Sequence, residues 1–84
     1  MKITFKLYAS LTEYLPPEAL RGNSVVLDVP AEATIDSIIQ PYGMPPRLVH
    51  LVLVNGAYIA PADRLTRTLA EGDVLAIWPP VAGG

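Results

Sequence analysis

An α+β domain, with one sheet packed on one helix, is the fold class this sequence predicts, and three observations predict it. Five short strand-like runs recur at residues 2–9, 24–29, 48–54, 57–60 and 74–78, the first of them alternating cleanly between apolar and polar side chains. A single stretch has helical spacing: Ile35, Ile38, Ile39 and Tyr42 fall at i, i+3, i+4 and i+7 and make one apolar stripe. The chain has 84 residues, 51% of them hydrophobic and 17% charged, which is enough apolar material to bury one small core. Strands with a helix among them need a layer on which that helix can lie, so the order strand, short helix, strand, helix, strand, strand, strand suits one sheet covered on one face.

Taken in order, Ile3, Phe5 and Leu7 point one way from the first strand, and Lys2, Thr4, Lys6 and Tyr8 point the other. Ser10 is placed to cap a short helix through Leu15, with Glu13 three residues on as in a capping box. Pro16-Pro17 interrupts that helix, Glu18-Ala19-Leu20 adds one more turn, and Gly22-Asn23 turns into the second strand. There Val25, Leu27 and Val29 share a face. Thr34 is the expected N-cap of the main helix, Asp36 suits the positive end of its dipole, and Pro41 and Gly43 end it. So short a helix is not stable alone and must rest on the sheet.

The third strand is expected over residues 48–54. Asn55-Gly56 is the strongest hairpin signal in the chain, because a type I′ turn needs positive φ at both positions. A fourth strand returns over residues 57–60, residues 61–69 read as loop or a turn of helix, and Glu71-Gly72-Asp73 turns tightly into the last strand, Val74 to Trp78. In that strand Leu75 and Ile77 share one face, Ala76 and Trp78 the other. The nine prolines punctuate these elements; no repeat or linker is visible.

Composition excludes several functions. A net charge of −2, with six Lys and Arg residues scattered, offers no basic stripe to nucleic acid. No apolar run approaches the ~20 residues of a membrane helix, and the first residues read directly into a strand without a signal-peptide pattern. There is no cysteine, hence no disulfide, thiolate metal site or thiol nucleophile, and the compartment expected is cytoplasmic. The single histidine, His50, has no suggested partner for metal or general-base work. Glu71 and Asp73 read as a solvated turn, and Asp63, Arg64 and Arg67 as a solvated charged loop. No phosphate loop, nucleophile elbow or metal spacing occurs. The domain is not expected to catalyse or to bind a cofactor.

The last six residues, Pro79-Pro80-Val81-Ala82-Gly83-Gly84, stand apart. Proline cannot join a central ladder, so the strand should stop at Trp78, leaving a domain over residues 1–78 and an extended tail over 79–84. Six extended residues at roughly 3.3 Å each reach about 20 Å. Gly83 and Gly84 carry no Cβ and make a thin tip. Trp78, with its face partner Ala76, should look away from the core at the root of this tail, a candidate partner anchor unless it packs beneath a loop.

Trp78-Pro79-Pro80-Val81-Ala82-Gly83-Gly84 resembles the tail of the MoaD/ThiS sulfur carriers, ubiquitin-like proteins serving molybdopterin and thiamine synthesis. Leu53-Val54-Asn55-Gly56 and Leu69-Ala70-Glu71-Gly72-Asp73-Val74 are similar to further stretches of that family. The resemblance implies the β-grasp fold and its strand order. It also implies that an E1-like adenylating enzyme uses ATP to form an acyl adenylate on the terminal glycine, and that a sulfurtransferase then leaves a thiocarboxylate there. Carried onto this chain, the reacting carbon is the carboxyl carbon of Gly84, preceded by Gly83. Trp78, Pro79, Pro80, Val81 and Ala82 would be the partner-binding residues, the last two small enough to pass a narrow channel. The tail favours the molybdopterin branch, whose partner is the large subunit of molybdopterin synthase. Residues 54–58 and 68–73 look at least as much like the thiamine carriers, whose partner is thiazole synthase. Two other readings stand beside these. Tyr14-Leu15-Pro16-Pro17 and Gly43-Met44-Pro45-Pro46 are similar to the ubiquitin-like domain found beside Mut7-C ribonuclease-type domains, which implies a binding module. A protein modifier, joined through Gly84 to a lysine, would share the adenylation step.

Overall fold

The computed structural model describes residues 1–19 and 22–80. Its five strands are β1 (Lys2–Leu7), β2 (Ser24–Asp28), β3 (Leu51–Val54), β4 (Ala57–Tyr58) and β5 (Val74–Trp78), and its one α-helix is α1 (Ile35–Ile39). The sheet runs in the order β2-β1-β5-β3-β4. The first and last strands, β1 and β5, pair in parallel at its centre, and every other neighbouring pair is antiparallel. This is the β-grasp arrangement.

The alternation in β1 sorts the two faces as expected. Ile3, Phe5 and Leu7 are buried, as are Leu75 and Ile77 of β5 and Val52 and Val54 of β3. Ile35, Ile38 and Ile39 of α1 close over them. Each buried aliphatic or aromatic side chain contributes about 1.5–3 kcal/mol relative to exposure. Tyr42, one turn beyond α1, sets its ring 4.8 Å from that of Phe5. Thr34 caps α1 as expected. Its Oγ1 accepts from the Ser37 N–H, and the Ser37 Oγ accepts in return from the Thr34 N–H, which closes a capping box that the sequence reading had not assigned to Ser37. Gly43 takes φ 69° in the left-handed region and stops the helical segment. Asn55 at φ 51° and Gly56 at φ 85° make the expected hairpin.

Three local expectations are corrected, and a fourth is met as far as the described residues go. Residues 9–14 form a 3₁₀ turn with Tyr8 at its N-cap and no side-chain cap, so Ser10 and Glu13 make no capping box; Ala9, at φ 53°, redirects the chain there instead. Of the turn expected over residues 18–20, Pro17–Ala19 is 3₁₀ and Leu20 lies outside the described residues. The third strand begins at Leu51, not Leu48, because Pro46–Leu48 closes a 3₁₀ turn of its own. β4 ends at Tyr58; the Ile59 N–H still donates to the Val52 carbonyl at 2.9 Å, and Pro61 then opens another 3₁₀ turn, Pro61–Leu65. Among the described residues no helix is long and apolar enough to cross a membrane.

Candidate functional site at the end of the central strand

β5, the middle strand of the five, is laddered on both sides, by β1 in parallel and by β3 antiparallel. Its last rungs come from both neighbours. The Tyr8 N–H donates to the Ile77 carbonyl at 3.1 Å, and the His50 N–H donates to the Trp78 carbonyl at 3.2 Å. Pro79 follows with no N–H to offer, so pairing ends at Trp78, as the sequence predicts. Pro79 is half-buried and Pro80 exposed. Val81, Ala82, Gly83 and Gly84 lie outside the described residues.

Leu75 and Ile77 are fully buried under α1, so Trp78 and Ala76 face the opposite side of the sheet. Trp78 is 40% exposed. It does not sit beneath a loop: its ring lies against Tyr8, centroids 3.9 Å apart and planes within 6°. Stacking of this kind fixes the indole rotamer and contributes about 0.5–1.5 kcal/mol beyond area burial. In register, Leu51 stands opposite Trp78, Leu53 opposite Ala76, and Tyr58 opposite Leu53. Tyr8, Trp78, Leu51, Leu53 and Tyr58 therefore form an apolar, aromatic-rich patch that begins at the tail root and runs across β3 to β4, with Lys6 beside Ala76. The sequence reading singled out Trp78 and missed Tyr8. The signal was present: Tyr8 continues the outward face of β1, and a parallel β1–β5 pair puts the ends of both strands at the same edge.

Of the charged residues expected at a solvated surface, Asp63, Arg67 and Glu71 are exposed and Arg64 is the exception. Arg64 is buried, and its guanidinium donates to the carbonyls of Ile59 at 3.0 Å, His50 at 3.2 Å and Val49 at 3.4 Å, with the Tyr58 ring 5.9 Å away. It pins the strand that precedes the hairpin to the one that leaves it. A single Arg in a polar loop gives no sequence signal for this, since the three acceptors are main-chain groups. The turn carboxylates are engaged as well. Glu71 accepts from the Lys2 N–H at 3.0 Å. Asp73 accepts from the Ala70 N–H and from Asn55 Nδ2, each at 2.9 Å. Those bonds, the Ala70 N–H first, hold the Asp73 carboxyl below its ordinary value of 3.8. His50, expected within the third strand, lies just before it, is exposed, and contributes main-chain contacts among the described residues. Among the described residues no three His, Asp or Glu side chains gather as metal ligands. What the described residues build is a strand end held on both sides, with an exposed apolar patch beside it.

A central parallel pair, one helix on one face and a chain leaving the end of β5 define a ubiquitin-like β-grasp protein, the fold shared by small modifiers and sulfur carriers. Within that class the chain belongs to the Mut7-C ubiquitin family, whose model matches residues 1–83. Among solved structures it is similar to SAMP1, small archaeal modifier protein 1, of Haloferax volcanii, at 28% identity over the whole of both chains with a TM-score of 0.69. It also resembles the HVO 2177 protein of the same organism, at 23% identity over all of this chain and 87% of that one, with a TM-score of 0.72. A third neighbour belongs to a complex of subunits 1 and 2 of the molybdopterin-converting factor of Helicobacter pylori, at 20% identity over the whole of both chains with a TM-score of 0.63. These last two share the fold. No curated protein matches the chain.

Proposed function

We propose that this protein is a sulfur carrier that works through the carboxyl group of Gly84. That carboxylate is ionised at neutral pH and a poor electrophile. An E1-like enzyme joins it to the AMP of ATP, with release of pyrophosphate. The outer sulfur of a persulfide on a sulfurtransferase then attacks the carbonyl carbon and AMP leaves; a second thiol cleaves the acyl disulfide so formed, becoming disulfide-bonded to the donor cysteine, and a thiocarboxylate remains on Gly84. The acceptor we assign is the molybdopterin precursor on the large subunit of molybdopterin synthase, with thiazole synthase in the thiamine branch as the alternative, and the setting is the cytosol. The domain supplies no catalytic side chain and binds no cofactor of its own; ATP belongs to the activating enzyme.

The observation that carries this reading is the end of β5. The β1 side holds it to the Ile77 carbonyl and the β3 side to the Trp78 carbonyl, and two prolines with no N–H follow, so the Pro-Pro-Val-Ala-Gly-Gly segment starts from a fixed point. The Tyr8–Trp78 stack and Leu51 give partner enzymes an apolar surface beside that point. Likeness to a subunit of a molybdopterin-converting factor supports the carrier reading. Likeness to a small archaeal modifier supports a neighbouring one, in which the same adenylate is passed to a lysine of a target protein. Membership of the Mut7-C ubiquitin family favours a second reading, a binding module that needs no activated terminus.

Intact mass separates them. Chain ending at Gly84, incubated with adenylating enzyme, ATP and a sulfur donor, is expected to gain the difference between one sulfur and one oxygen, located on Gly84. Unchanged mass with several such enzymes would leave the binding module, and recovery on target lysines the modifier. One residue added after Gly84 is expected to leave the fold intact and abolish transfer; transfer retained by that variant would overturn the carrier reading.

A further inference from the structure

Two successive N–H groups converge on the last carbonyl of β5. Leu51 stands opposite Trp78 in register, and the Asn55 N–H donates to the Val74 carbonyl, so the odd-numbered residues of β3 turn their main-chain groups toward β5. The His50 N–H also reaches the Trp78 carbonyl, at 3.2 Å, although His50 precedes the strand. Residues 50 and 51 thus oppose one residue of β5, the arrangement of a β-bulge, which bends a strand and sharpens its twist. The ladder accounts for the Leu51 N–H. It does not account for that of His50, which follows the 3₁₀ turn Pro46–Leu48 and Val49 at φ −86° and ψ 79°.

Arg64 supplies the missing support. Its Nη1 donates to the Val49 carbonyl at 3.4 Å and its Nη2 to the His50 carbonyl at 3.2 Å, the two carbonyls on either side of the His50 N–H. The Val49 carbonyl and the His50 N–H are opposite ends of one planar peptide group, so a donor on the first orients and polarises the second. Nε closes the fork on the Ile59 carbonyl at 3.0 Å and so anchors it to the chain leaving the hairpin. Arg64 is buried, and the one salt bridge among the described residues joins the Met1 amine to Asp28, so no described carboxylate pairs with the guanidinium. What this buried cation contributes is a planar fork that reaches three main-chain acceptors at once.

We propose that Arg64 is a positioning residue for the tail: by holding the Val49 and His50 carbonyls it keeps the His50 N–H on the Trp78 carbonyl, and so sets the direction in which the chain leaves β5 at Pro79 and Pro80. The Trp78 carbonyl and the Pro79 nitrogen share one peptide plane, so the bond that orients the first orients the second. The Pro79 ring then fixes its own φ, and Pro80 confines the ψ of Pro79 to extended values, so a direction set at Trp78 is carried through both prolines. Without Arg64 the ladder bond of Leu51 remains and the sheet persists; what changes is the aim of the root. The consequence for sulfur transfer rests on the reading of Gly84 as the reacting group, whereas the aim itself does not.

The test compares the full chain with Arg64→Met, which keeps an unbranched buried stem and removes the donors. The scalar coupling across the hydrogen bond from the His50 nitrogen to the Trp78 carbonyl carbon is expected to disappear, and residual dipolar couplings at Trp78 and Pro79 to report a turned peptide plane. The His50 amide should exchange about tenfold faster while the Leu51 amide keeps its protection. With an E1-like enzyme that adenylates the parent, kcat for pyrophosphate release is expected to fall about tenfold or more with KM little changed, because the apolar patch still docks while the reacting carbon is misplaced. Val54→Ala, a buried truncation at the far end of β3, controls for lost stability and should keep both the coupling and kcat. Arg64→Lys reaches fewer carbonyls, should lose the coupling as well, and serves if the methionine variant does not fold. Coupling and kcat kept without the guanidinium, or an equal fall of kcat in Val54→Ala, would overturn the proposal. If no enzyme adenylates the parent, the carrier reading fails, and the couplings at Trp78 and Pro79 alone decide whether Arg64 aims the root.

Discussion

The two faces of the sheet are built by the same strands and share almost nothing else. Below β5, Leu75 and Ile77 meet the aliphatic stripe of α1 and see no solvent. Above it, Trp78 lies flat on Tyr8 and remains 40% exposed, with Leu51 and Tyr58 also exposed alongside. One residue of β5 is thus committed to stability and its neighbour to contact, a division that strand alternation makes available at every second position. The sharpest way to break the comparison is to truncate both. Ile77→Ala removes fully buried atoms and is expected to cost about 2–5 kcal/mol, a large fraction of the roughly 4–13 kcal/mol a domain of this size commands. Trp78→Ala loses the stacking, about 0.5–1.5 kcal/mol, together with the burial of only part of its ring, and is expected to destabilise the fold less than Ile77→Ala does while weakening partner binding. Urea denaturation of the pair checks the contrast. Similar losses for the two variants would mean that Trp78 is a core residue and the upper face no docking surface.

Between these effects comes Arg64, where the rule of apolar below and mixed above fails at the rim. Removing its guanidinium leaves the carbonyls of Val49, His50 and Ile59 short of a donor. Arg64→Ala is expected to cost about 1–3 kcal/mol. Arg64→Lys should recover little, because a single ammonium cannot span three acceptors that a planar fork reaches. Full recovery by lysine would show that charge alone matters there.

How far the sequence carries follows the same division. The buried face was legible because period two in β1 and the i, i+3, i+4 stripe of α1 report burial directly. The Asn55-Gly56 turn was legible because positive φ narrows the choice of residue. The root of the tail was legible because proline forbids pairing at Pro79. Arg64 was not, since its partners are main-chain carbonyls brought together only by the tertiary fold. The Ser10 cap failed because Ala9 turns the chain through a left-handed conformation, which no residue type there announces. The edge of β2 could not be read either: which strand lies outermost is a property of pairing order, and the residues Ser24-Val25-Val26-Leu27-Asp28 would suit an interior strand equally well.

The smallest expected effect concerns the rim at the start of β5. Asp73 accepts from the Ala70 N–H and from Asn55 Nδ2, and the Asn55 Oδ1 in turn accepts from the Val74 N–H at 2.9 Å, so one carboxylate ties the turn before β5 to the β3–β4 hairpin. These bonds favour its ionised form and lower its pKa from 3.8 in the folded state. A lowered folded pKa means the unfolded chain takes up the proton first. The contribution of Asp73 is therefore complete above pH 3.8 and is lost as pH falls through the folded value. Asp73→Asn keeps the shape but cannot titrate. Its stability at neutral pH should be slightly lower than that of the parent, and the gap should narrow in acid. Denaturation midpoints from about pH 6 to about pH 2 measure both curves. Parallel curves would show that the rim bonds do not depend on charge, and that the upper and lower faces hold the start of β5 without them.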